Sequence, residues 1–77
     1  MDLRDCRPTD RARLHRIDGD REQRRRLMEL GFVPGQILRV LGRGATGGLL
    51  LAVGDARIAV DTETCRALRV GRLEVTA

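Results

Sequence analysis

Three side chains in this sequence have the chemistry of metal ligands or nucleophiles: Cys6, His15 and Cys65. Their spacing assembles neither kind of site. A zinc ribbon or a redox pair writes its cysteines two residues apart, whereas Cys6 and Cys65 stand near opposite ends of the chain and read as ordinary thiols. A metal held through His15 would need further ligands such as carboxylates beside it, and no Asp or Glu is grouped with His15, which reads as a surface residue of a strand. Serine is absent and no motif links a Cys to the His, so no nucleophile and base are paired and the chain is expected not to be an enzyme. Gly42, Gly44, Gly47 and Gly48 lack the Gly-Lys-Ser/Thr close of a phosphate loop and open no helix, so they read as turns. No metal site and no cofactor is expected.

The chemistry left is recognition. Met28 carries a flexible thioether beside the guanidinium groups of Arg21, Arg24 and Arg25, and these four residues form the expected partner-binding patch. All fifteen basic residues are Arg, and the net charge of +4 favours an acidic or phosphate-bearing partner. Nucleic acid is the alternative partner on charge alone. Against it, the single Phe32 leaves no aromatic platform for stacking bases, and the arginines are interspersed with Asp and Glu.

Seventy-seven residues make one small domain, 1–77, that buries roughly 60% of the surface its unfolded chain exposes. The longest apolar run is Leu49 to Val53, too short for a signal peptide or a membrane span, so the expected compartment is the cytosol with its thiols reduced.

The elements that must position the patch follow from local chemistry. Pro8-Thr9-Asp10 is a turn, followed by a strand over residues 11–17 whose alternation fails at Ile17, placing a bulge or a strand end near Arg16. Asp20 with Gln23 three residues later predicts a capped helix over residues 21–30, with Gln23, Leu27, Leu30 and Gly31 on one side. Gly31 supplies a left-handed C′ residue, Phe32 can fold back on Leu27, Pro34 forbids continuation and Gly35 frees the next turn. Asp20, Leu27, Leu30, Gly31, Phe32, Pro34 and Gly35 are therefore the expected fold-determining residues.

Strands are predicted over residues 36–43, 49–53 and 56–60, the last two joined by a two-residue Gly54-Asp55 turn of the II′ kind. Asp61 caps a short helical turn, and a last strand over residues 68–70 either continues past a bulge at Gly71, through Leu73 and Val75, or trails off. Five strands with one helix between the first and second point to a small mainly β fold, a closed or half-open antiparallel barrel.

At the residue level, Arg24-Arg25-Arg26-Leu27-Met28-Glu29-Leu30-Gly31-Phe32-Val33-Pro34-Gly35 resembles the signature of the FeoA family. Pro8-Thr9-Asp10-Arg11-Ala12-Arg13 is similar to that family's entry into its first strand, and Arg57-Ile58-Ala59-Val60, Glu63 and Leu68-Arg69-Val70 to its final segment. The resemblance covers most of residues 3–70 and implies a small SH3-like barrel that acts in bacterial ferrous iron uptake. It further implies a partner, the membrane transporter FeoB, met at its GTP-binding domain or cytoplasmic face. Transition metal ion binding is implied at the family level only. The same domain occurs as the C-terminal module of iron-dependent repressors, so a stand-alone iron-responsive regulatory domain is a further alternative. The chain departs from the pattern at Gly47-Gly48-Leu49, where many members have Gly-Asp-Pro, at Asp61, where a basic residue is common, and at Cys65, usually Ala.

Overall fold

Five strands carry the fold, and a computed structural model describes them within residues 3 to 73. A 3-10 turn, Leu3–Asp5, is followed by β1 (Arg11–Ile17), α1 (Arg21–Glu29), β2 (Ile37–Arg43), β3 (Leu49–Val53), β4 (Ala56–Val60), α2 (Thr62–Ala67) and β5 (Leu68–Arg72). The strands form one antiparallel sheet in the order β4-β3-β2-β1-β5. Val60 from one outer strand and Leu68 and Val70 from the other belong to the same buried cluster as Leu14, Leu38, Val40 and Leu51. The sheet must therefore curl around that core, as in the small SH3-like barrel that the element order predicts.

Each strand places its alternate residues inward: Ala12 and Leu14 in β1, Leu38 and Val40 in β2, Leu49, Leu51 and Val53 in β3. In β1 the alternation fails where the sequence predicts, with the bulge falling between Leu14 and Arg16. One consequence is that Ile17, after the bulge, still turns inward and is buried. The β3–β4 turn follows its sequence: Gly54 has φ +59, Asp55 stays on the negative side, and Val53 pairs with Ala56.

Four boundaries differ from expectation. β2 starts at Ile37, not Gln36, because the Gln36 amide closes a turn onto the Val33 carbonyl (3.0 Å). β5 runs on to Arg72 with Gly71 squarely opposite Arg13, so the irregularity lies in β1 and not at Gly71; Val75 falls outside the described residues. α1 ends at Glu29, with Leu30 as its cap. The 3-10 turn was not predicted; it buries Leu3, and Cys6 just after it is buried too.

Candidate functional site

Helix α1 is a poor helix for a core and a good one for a surface. Of its nine residues only Leu27 is buried. The Asp20 carboxylate accepts from the Gln23 amide at 2.8 Å and starts the helix. At the other end the Gly31 amide donates to the Met28 carbonyl (3.0 Å) and the Phe32 amide to the Leu27 carbonyl (3.1 Å), the paired bonds of a Schellman ending, with Gly31 at φ +110. Phe32 is fully buried. The exit is then laced to β1: the Gly35 amide donates to the Leu14 carbonyl (2.7 Å), the Leu14 amide to the Gln36 carbonyl (2.8 Å), and Arg13 Nη1 to the Gly35 carbonyl (3.1 Å). Leu30, placed by periodicity beside Leu27, is instead 52% exposed, because the helix has ended and the chain has begun to turn away.

Fixed in this way, α1 stands beside the end of β1 with Arg21, Arg24, Arg25 and Met28 spaced at i, i+3, i+4 and i+7, one face of a helix. That face is one wall of a surface groove of about 420 Å³, closed by Arg16 and Ile17 of β1 and by Pro34. The structure thus brings all four sequence-predicted patch residues into one groove. It adds three that sequence reasoning did not assign to it: Arg16, Ile17 and Pro34. The available signal was Ile17, whose break in alternation marks where β1 ends and turns toward the helix.

The groove joins an apolar floor to a cationic rim. Ile17, Met28 and Pro34 supply the floor; Ile17 is buried beneath, and Met28 is 47% exposed. On the rim, Arg16 is held by Asp18 at 3.1 Å, and Arg25 by Glu29 at 3.6 Å, an exposed i,i+4 pair. Arg21 and Arg24 form no ion pair among the described residues. Two guanidinium groups therefore flank an open thioether with their charge uncompensated locally, a surface suited to an apolar side chain with a carboxylate beside it.

The remaining candidates lie apart. His15 is exposed in the β1 bulge and lies over Gly71, whereas Cys6 and Cys65 are buried in the core. Among the described residues no three of His, Cys, Asp and Glu gather as metal ligands. A polar cleft between α1 and α2 contains Asp20 and Asp61, but each carboxylate accepts from the backbone of its own helix, at Gln23 and at Thr64. No described helix is long and apolar enough to cross a membrane.

The sequence matches the model of the FeoA domain over residues 1–72. The chain belongs to the FeoA family. Solved structures agree with this FeoA fold. One is a FeoA described as an iron uptake regulatory protein, 26% identical with a TM-score of 0.85, the match covering 95% of this chain and 97% of that one. Another is the FeoA of Stenotrophomonas maltophilia complexed with zinc, described as a prokaryotic SH3 domain protein, 30% identical with a TM-score of 0.76 over 92% of this chain and 89% of that one. A manganese-dependent transcriptional repressor matches at 26% identity and a TM-score of 0.84 over 95% of this chain, which spans 36% of the repressor's length. No curated protein matches the sequence.

Proposed function

We propose that this FeoA-family chain is a non-enzymatic cytoplasmic accessory protein of ferrous iron uptake that docks onto the transporter FeoB. The observation that carries the reading is the groove itself, an apolar floor at Ile17, Met28 and Pro34 beside Arg21 and Arg24, which form no ion pair among the described residues. The partner contributes an apolar side chain that seats against Met28 and acidic groups that meet the two arginines. Desolvating such a contact excludes water around the thioether, and the arginines set orientation and encounter rate more than affinity.

The test is capture of FeoB from a detergent extract of source membranes by the tagged chain, in moderate salt with nuclease present. Met28 is half exposed, so Met28→Asp leaves the fold intact while it removes the apolar seat and sets a carboxylate beside Arg21 and Arg24 that competes with the partner's acidic groups. Recovery of FeoB by the parent chain and its loss with a still-folded Met28→Asp variant is the expected result. Equal recovery by both, or recovery only of material that disappears with nuclease, overturns the assignment.

A further inference from the structure

Every charged residue in the five strands is an arginine. Among the described residues the acidic ones all lie outside the strands, in turns and helices. The register converts this pattern into a surface: Arg11 pairs with Arg39, Arg39 with Ala52, and Ala52 with Arg57, giving one cross-strand row on the outward side of β1, β2, β3 and β4. All three arginines are exposed, and none forms an ion pair among the described residues. Like charges directly opposite each other across strands destabilise a sheet, so Arg11 against Arg39 is a local cost that an external anion would remove. With strands about 4.8 Å apart, the row offers two adjacent guanidinium groups and a third about 10 Å further on.

We propose that this outer sheet face docks on the anionic headgroups of a lipid bilayer. Charge complementarity sets the sign of the partner, since guanidinium groups grip phosphate oxygens in pairs and no sheet carboxylate competes for them. The two exposed aliphatic residues on the same side, Ile37 (38% exposed) and Leu50 (39%), decide its kind. At a bilayer they enter the boundary between headgroups and acyl chains while the arginines remain with the phosphates. Against a nucleic acid they would face a charged backbone, and the face has no aromatic ring on which bases could stack. The surface is separate from the Met28 groove, so the proposal stands or falls independently of transporter docking.

Co-sedimentation of the full chain with vesicles tests it, comparing phosphatidylcholine alone with an equal mixture of phosphatidylcholine and phosphatidylglycerol. Binding to the mixed vesicles, absent for the neutral ones and lost in high salt, is expected, with partition falling roughly fivefold for each arginine removed. Arg11→Gln, Arg39→Gln and Arg57→Gln together then lower it on the order of a hundredfold. The matching triple Arg→Lys variant retains most of it, which separates lost charge from lost fold. Failure to bind mixed vesicles, equal binding by the triple Gln variant, or displacement from vesicles by an oligonucleotide of equal charge concentration overturns the proposal.

Discussion

The Phe32 amide donates to the Leu27 carbonyl at 3.1 Å, and the same turn that makes this bond sends both side chains into the core. Met28, between them in sequence, is left facing outward. The Schellman ending thus both terminates α1 and presents the groove wall.

Gly31 makes that turn possible. Its φ is +110, and a Cβ there would meet only Val53 Cγ1, at an ordinary 3.7 Å. Gly31→Ala is therefore opposed by backbone conformation and not by crowding, at a cost of about 1–2 kcal/mol. Urea denaturation checks it, and the same replacement at Gly42, which has open space and no positive φ, serves as the reference near zero.

The opposite substitution is expected to help at Thr9. This β-branched residue sits at φ +76, held there because its amide donates to the Val40 carbonyl (2.8 Å) while the next residue's carbonyl accepts from the Val40 amide (3.0 Å). Neither bond uses the side chain. Thr9→Gly keeps both and removes the left-handed penalty, so the melting temperature rises, with a gain of about 1 kcal/mol partly offset by the looser unfolded chain.

The strands and caps were legible in sequence because each rests on local chemistry. Leu49 to Val53 and Ala56 to Val60 are bounded by a two-residue glycine turn, and Asp20 and Asp61 stand three residues before the amides they cap. What was not legible depends on tertiary placement. Leu30 continues the helical periodicity of Leu27 yet is exposed, because α1 has ended at Glu29 and the chain turns away at its cap. Cys6 is buried by contacts of the first turn with distant β5 and α2, which no local pattern reports. The patch residues on α1 share a helical face and could be grouped from spacing, but their neighbours Arg16 and Pro34 come from other parts of the chain.

Two glycines with tight surroundings separate a rigid obstacle from a movable one. A Cβ at Gly48 would collide with the Val60 backbone carbonyl, across the approach of the glycine turn to β4. A Cβ at Gly71 would collide with Nε2 of His15, whose ring is exposed and free to rotate away. Gly48→Ala should cost about 1–3 kcal/mol, and Gly71→Ala clearly less. Adding His15→Ala to Gly71→Ala should recover most of that smaller loss, while no side-chain removal rescues Gly48→Ala; denaturation midpoints of Gly48→Ala, Gly71→Ala, His15→Ala and the double variant provide the check.

Asp61 couples α2 to pH. The Thr64 hydroxyl and the Thr64 amide, the latter at 2.7 Å, both donate to its carboxylate and hold its pKa below the usual carboxylate range. A carboxyl whose folded pKa is lowered binds its proton more readily when unfolded. Its contribution is therefore complete above the unfolded value and is lost as pH falls from the usual carboxylate range through the lower folded one. Asp61→Asn keeps an acceptor for the Thr64 amide but cannot titrate. Melting temperatures across that span should fall less steeply for Asp61→Asn than for the parent chain, the two curves converging toward low pH. Parallel curves would show that the acid response arises from other carboxylates and that the capping bonds do not discriminate between the charged and neutral forms.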